Sequence, residues 1–185
     1  HKDDQAESIL AHLIRGTGLN GLTGMAVVSY DYTVPVIRPL LDVTKLELLD
    51  YLADRDLTYC IDSTNDDISY QRNRIRHRII PELEFINPNV VDAIVRLGSS
   101  VSEDLAVISD LTALAFERIV IIDKGAMNLS RKALRKEPLA IQRRLWQRLV
   151  SSIDSDITLT TAHQEQLLDI VNTGEAKTFT IKSIK

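Results

Sequence analysis

The sequence predicts an α/β unit over residues 1–86, followed by a mainly helical module over residues 87–185. Three observations carry that prediction. A strand–helix–strand order ending in a polar turn runs from Val36 to Asp67. Apolar residues at helical spacing dominate after Val90, and Asn87-Pro88-Asn89 breaks the chain between the two regimes. With 185 residues, 44% of them hydrophobic, the chain can bury a core as one domain or two small ones.

The first element is a helix over residues 4–15, on which Ala6, Ile9, Leu10, Leu13 and Ile14 form the apolar stripe. Asp4 and Glu7 have capping-box spacing, and carboxylates suit the positive end of a helix dipole. A cap needs one carboxylate, however, and His1 and Asp3 stand beside these two. The cluster is therefore read both as a cap and as a candidate site. A metal reading is too weakly supported to adopt, because HxxD is short and common. Beyond Arg15, four of the seven glycines (Gly16, Gly18, Gly21 and Gly24) share one loop. Glycines so dense allow positive φ and close approach of backbone N–H groups to a ligand, typically a phosphate.

Val36–Arg38 is a short strand bounded by prolines, hence an edge or a strand end. Thr44 and Glu47 form a second capping box and open a helix to about Arg55, with Leu46, Leu49, Leu52 and Ala53 expected inward. Tyr59-Cys60-Ile61 reads as a short buried strand emptying into a polar turn with Asp62 and Asn65. Ligands of α/β folds sit at such strand ends, although turn capping explains the same residues.

Residues 70–81 project as a helix that Pro81 interrupts. Arg72 and Arg76 fall on the side of Ile75, Ile79 and Ile80, whereas Arg74, His77 and Arg78 point the other way. An unpaired buried guanidinium costs several kcal/mol, so Arg72 and Arg76 are expected to meet a carboxylate or an anionic ligand. After the break, a helix runs from Val90 to about Arg118 and a short strand covers Met127–Leu129. Two basic helices follow, with Arg131, Lys132, Arg135, Lys136, Arg143, Arg144 and Arg148. Ile141, Leu145 and Leu149 face inward on the second, with Trp146 at its edge. A helix from Thr161 to about Asn172 and an alternating strand over 177–184 complete the chain.

Net charge is −4, so nucleic-acid binding has to come from local patches. The seven cations between Arg131 and Arg148 read either as a phosphate-backbone footprint or as a solvated face. Cys60 is the single cysteine, which excludes an intrachain disulfide, a CxxC pair and a multi-cysteine zinc site and suits a reducing compartment. No apolar run reaches membrane-spanning length and no secretory signal is visible. These features predict a cytoplasmic protein without a membrane partner. The chain opens inside a polar motif without an initiator methionine, and is expected to be a fragment of a longer protein.

Five motifs occur in order: His1-x-x-Asp4-Gln5-Ala6-Glu7; Arg15-Gly16-Thr17-Gly18-Leu19 with Gly21, Leu22, Gly24 and Met25; Arg38-Pro39-Leu40-Leu41; Asp62-x-Thr64-Asn65; and Arg72-Asn73-x-Ile75-Arg76. Together they resemble the tRNA(Ile)-lysidine synthase family of PP-loop (N-type) ATP pyrophosphatases. The resemblance covers residues 1–80 closely. It extends more loosely to 90–185, which are similar to the helical domain that follows the catalytic domain in that family.

The resemblance implies that residues 1–86 are the C-terminal portion of a Rossmann-like PP-loop ATPase domain and that 87–185 form a helical tRNA- or substrate-binding domain. It implies ATP-dependent adenylation at C2 of the wobble cytidine of an isoleucine tRNA, then displacement of AMP by free L-lysine. Mg2+ would travel with ATP, no metal-ligand residue is assigned, and a homodimer is left open. Asp4 and Glu7 would lie by the lysine ammonium and the reacting base, and Arg72 and Arg76 by the lysine carboxylate or the nucleotide phosphates. His1, Arg15, Gly16 and Gly18 would bind the nucleotide. Arg74, Arg78, Arg143, Arg144 and Arg148 would contact tRNA. The family's SGGxDS phosphate loop does not occur in these residues, so the chain alone is expected to be inactive or nearly so. Two alternatives stand beside this reading. One is a related PP-loop tRNA thiolase, disfavoured by the lone Cys60; the other is a plain RNA-binding helical module.

Overall fold

The computed structural model describes residues 1–30, 33–60, 64, 67–123, 126–154 and 157–173. They form two compact units, His1–Leu105 and Ala106–Lys185. The expected Asp62 and Asn65 ligand turn, Ile61 and the strand over 177–184 lie outside the described residues.

In the first unit, α1 (Lys2–Arg15) begins two residues earlier than its stripe suggests, and this changes its cap. His1 is the N-cap: its Nδ1 accepts the Asp4 N–H at 3.4 Å, and Asp4 Oδ2 accepts the His1 main-chain nitrogen at 3.1 Å. The capping box is thus His1 with Asp4, not Asp4 with Glu7. Glu7 is one turn inside the helix, and its carboxylate turns into the protein. Gly16 ends the helix at φ 79°, with its N–H on Leu13 O.

A short helix, α2 (Leu19–Leu22), follows, and then a two-residue hairpin of β1 (Val28–Ser29) and β2 (Val36–Ile37), paired antiparallel with Val28 opposite Ile37. α3 (Lys45–Ala53) keeps its expected capping box: Thr44 Oγ1 accepts the Glu47 N–H at 3.1 Å, and Glu47 accepts the Thr44 N–H at 2.7 Å. Its inward face is a correction. Leu49 and Leu52 are half-buried, but Leu46 is 68% exposed and Ala53 is exposed as well. Tyr59 and Cys60 are likewise exposed and in no strand. An apolar stretch becomes a strand only where a neighbour takes its N–H and C=O groups, and the β1–β2 ladder does not reach Tyr59 or Cys60.

The arginine-rich segment is one continuous run of helix: α4 (Gln71–Arg74), a π-helical turn (Ile75–Ile79) and α5 (Ile80–Ile86). Pro81 does not interrupt it. The Ile80 N–H reaches back to Ile75 O, and Pro81 enters in the first turn after this register change, where a missing N–H is tolerated. Ile75 and Ile80 pack with Leu10 of α1 into a core that also holds Val91 and Ile94 from α6 (Val90–Ile119). At Gly98 of α6, an added Cβ would sit 2.8 Å from Ile9 Cδ1 and 3.1 Å from Leu22 O. The start of α6 therefore presses closely on α1. The Asn87-Pro88-Asn89 break lies within this first unit.

In the second unit, the end of α6 leads into a hairpin of β3 (Val120–Asp123) and β4 (Ala126–Leu129), registered from Val120 opposite Leu129. Then come α7 (Arg131–Leu134), α8 (Leu139–Ile153) and α9 (Thr161–Thr173). Ile141 and Leu145 on α8 pack with Ala115, Ile119, Leu134 and Val171, and Trp146 borders that core. Leu134 and Leu145 are fully buried, each contributing roughly 2 kcal/mol of apolar burial. No helix of the described residues is long and apolar enough to cross a membrane.

Candidate active site

α1 and the π-helical turn are held face to face by Leu10, Ile75 and Ile80. That packing brings two carboxylates and two arginines, each carboxylate sixty-five or more residues from either arginine, into one cluster. Arg72 donates Nε–H to Glu7 Oε2 at 2.8 Å and Nη2–H to Asp4 Oδ1 at 2.5 Å. Arg76 donates Nε–H to Glu7 Oε1 at 2.6 Å, and its Nη2 reaches both Glu7 Oε2 at 3.0 Å and Asp4 Oδ1 at 3.1 Å. The expectation that these arginines need an anionic partner is met from within the protein.

The four groups are not equivalent. Glu7 is 1% exposed and is surrounded by guanidinium N–H groups, whereas the Arg72 side chain is 56% exposed and those of Arg76 and Asp4 are 23% and 20% exposed. A buried carboxylate stays charged only when such charge-assisted bonds replace its hydration. Glu7 thus orients two cations, and Arg72 carries charge to the surface. Burial works against the Arg72 charge, but the Glu7 hydrogen bond and the Asp4 and Glu7 charges outweigh it and hold its pKa above the ordinary arginine value.

A cleft of about 340 Å³ opens over Asp4 and Arg72, lined also by His1, Met25, Arg38, Pro39, Leu40 and Leu41. This lies in the size range of small-ligand sites. Two guanidiniums and a carboxylate against an apolar floor suit a ligand that is anionic at one end and cationic at the other. The Asp3 carboxylate accepts the Lys45 N–H at 2.8 Å and lies 3.2 Å from His1 Nδ1, tying α1 to the start of α3.

Three positioning residues were not singled out by sequence reasoning, although each sits in a motif. Gln5 pairs with the Met25 main chain, accepting its N–H at 2.6 Å and donating to its O at 2.8 Å, which fixes the Met25 wall. Gly24 makes that pairing possible: its φ is 74°, and a Cβ there would lie 2.3 Å from Gln5 Oε1. Arg38 donates Nη1–H to Ala26 O and Ser29 Oγ, each at 3.2 Å, bracing β1 beside the cleft. On the other flank, buried Asn73 donates to Thr64 O and Asp67 O, both at 2.9 Å, anchoring the turn before α4. Motif membership was the only available signal for these roles.

Of the expected nucleotide-binding residues, His1 borders the cleft. Arg15, Gly16 and Gly18 do not. Eleven residues of helix separate Arg15 from Asp4, about 16 Å at 1.5 Å per residue, and the loop residue that lines the cleft is Met25, next to Gly24. Arg74 and Arg78 are exposed, as their helical projection implies. Arg143 is exposed on α8, Arg144 donates to Ala140 O at 3.2 Å, and the Arg148 guanidinium stacks 5.2 Å over the Phe116 ring. Among the described residues, no group of three His, Cys, Asp or Glu side chains is placed to hold a metal ion.

Residues 1–83 match the family model of the PP-loop domain. The chain as a whole is similar to proteins named tRNA(Ile)-lysidine synthase. It is 34% identical to that of Geobacter sulfurreducens over 158 residues, which cover 85% of this chain and 33% of the relative. It is 41% identical to that of Porphyromonas gingivalis over 112 residues, 60% of this chain and 24% of the relative. With that of Caldanaerobacter subterraneus it shares 30% identity over 174 residues, 93% of this chain and 36% of the relative. The chain thus spans about a third or less of the length of these curated relatives.

Proposed function

We propose that these residues are the segment of a tRNA(Ile)-lysidine synthase that handles the nucleotide phosphates and the lysine substrate. The observation that carries the reading is the Arg72–Glu7–Arg76–Asp4 cluster, aimed by Arg72 into a small-ligand cleft within a PP-loop domain. In the proposed reaction, the wobble cytidine of an isoleucine tRNA is activated at C2 by adenylation with release of pyrophosphate. The lysine amine then displaces AMP to give lysidine.

Arg72 offers its outward N–H groups to phosphate oxygens or to the lysine carboxylate, where forked donors are most effective. Asp4, at the cleft edge, faces the lysine ammonium. Glu7 touches no substrate and instead holds the Arg72 and Arg76 forks in place, a revision of its implied role at the ammonium. ATP is a substrate, and a magnesium ion would arrive with it. Residues 87–185 serve as the tRNA-facing helical domain, with Arg74 and Arg78 contributing from the first unit.

Full-length protein carrying these residues is expected to release pyrophosphate when ATP and isoleucine tRNA are present, and AMP only once lysine is added. AMP release that ignores lysine would overturn the reading.

A further inference from the structure

The second unit carries a basic feature that differs from the arginines of α8. Arg131, Lys132, Arg135 and Lys136 follow the pattern i, i+1, i+4, i+5 along α7 and the turn after it, so they form two adjacent columns on one side. Arg131, Lys132, Arg135 and Lys136 have no carboxylate partner among the described residues. Two cavities meet at Lys132. One, of about 340 Å³, is lined by Arg131, Lys132 and Arg135. The other, of about 390 Å³, is lined by Lys132 and Lys136 with Ser130, Ala133 and the Arg118–Glu137 ion pair.

By contrast, Arg148 is committed to the Phe116 ring and Arg144 to a backbone carbonyl. A cation already stacked or hydrogen-bonded gains less from a phosphate than one without such a partner. In a chain of net charge −4, four such cations on concave surface are a local field of opposite sign to the whole.

We infer that the α7 ridge, rather than Arg144 and Arg148 of α8, is the surface on which the second unit docks the sugar–phosphate backbone of RNA. The inference rests on the proposed tRNA-modifying function and names its contact surface. Concavity on both sides of Lys132 favours a strand of successive phosphates over a flat acidic protein face. Glu137 sits in one cavity, held by Arg118, where its charge repels a phosphate placed out of register.

The test uses full-length protein and isoleucine tRNA, with affinity measured across a salt series. Replacing Arg131, Lys132, Arg135 and Lys136 together by Ala is expected to weaken binding at least tenfold. It should also flatten the slope of log affinity against log salt by about three units, near 0.7–0.9 for each phosphate no longer neutralised. The set Arg131→Lys, Lys132→Arg, Arg135→Lys and Lys136→Arg keeps charge and fold and should restore both. Changing Arg143 and Arg144 to Ala should flatten the slope by less than the α7 set does. An unchanged slope for the α7 alanine set in an active enzyme overturns this inference and leaves the function standing. Loss of binding that the charge-keeping set fails to restore also overturns it. A wild-type protein that makes no lysidine overturns the function, and an α7-dependent slope on any RNA would then survive as a property of the ridge alone.

Discussion

Arg76 grips Glu7 at two points, Nε to Oε1 at 2.6 Å and Nη2 to Oε2 at 3.0 Å. The carboxylate is almost sealed from water, and Arg72 takes a further bond from it before reaching the surface. The cluster therefore has a structural half, Glu7 with Arg76, and a half that meets ligands, Arg72 with Asp4. Substitutions in the two halves should accordingly have different consequences.

Removing Glu7 leaves two guanidiniums without their main partner, one of them half-buried. Glu7→Ala is expected to lower unfolding stability by about 3 kcal/mol, the usual cost of breaking a buried pair from one side. Glu7→Gln should cost less, since the amide oxygen still accepts. Urea unfolding of the 185-residue chain checks both; equal stability to wild type would show that Glu7 is not the hub.

The two arginines should separate in experiment. Arg76→Ala is expected to lower stability more than Arg72→Ala, because Arg76 is more buried and makes more of the bonds to Glu7. Arg72→Lys keeps the charge but cannot span Glu7 and Asp4 with a planar fork, and should leave activity impaired with the fold intact. Thermal unfolding and turnover, measured on the same variants, make the comparison.

At Gly24, a side chain meets both a positive φ and the Gln5 oxygen. Gly24→Ala is expected to cost about 1–2 kcal/mol and to release the Met25 wall. Gly18→Ala, with an extended backbone and open space around its Cβ, should cost under about 1 kcal/mol. Comparable losses at the two positions would contradict the close packing of Gly24, rather than the start of the loop, against Gln5.

Two carboxylates link stability to pH. Hydrogen bonds from the Thr44 hydroxyl and N–H hold Glu47 below its ordinary 4.5, and the Ser69 N–H holds Asp67 below its ordinary 3.8. A lowered folded-state pKa means the stabilisation is complete above the unfolded value and disappears as pH falls through the folded one. The α3 cap should therefore weaken only as pH drops below about 4.5, and Glu47→Gln should remove that dependence. Carbonyl chemical shifts of Lys45–Ala53 through an acid titration report it.

Much of this was legible before the fold was known. The apolar stripes of α1 and α8 place Ile9 and Leu145 inside, although Leu13 and Ile14 at the end of the α1 stripe are exposed, and the mixed face of residues 70–81 requires Arg72 and Arg76 to find anions. What could not be read depended on distant partners. Tyr59 and Cys60 look like a strand until one asks what would pair with them. Pro81 looks like a helix breaker, but a π-helical turn at Ile75–Ile79 shifts the register ahead of it. Gln5 and Asn73 look like ordinary polar residues because their targets are main-chain atoms at Met25, Thr64 and Asp67, which leave no mark on side-chain patterning.

The role of the cluster is tested most sharply by lysidine formation in full-length protein bearing Arg72→Ala, measured with ATP, lysine and isoleucine tRNA beside a tRNA-binding assay. Turnover is expected to fall at least about a hundredfold, the scale of losing a preorganised charge donor, with tRNA affinity largely retained. Lysidine formation near the parental rate would contradict the placement of Arg72 at the reacting groups.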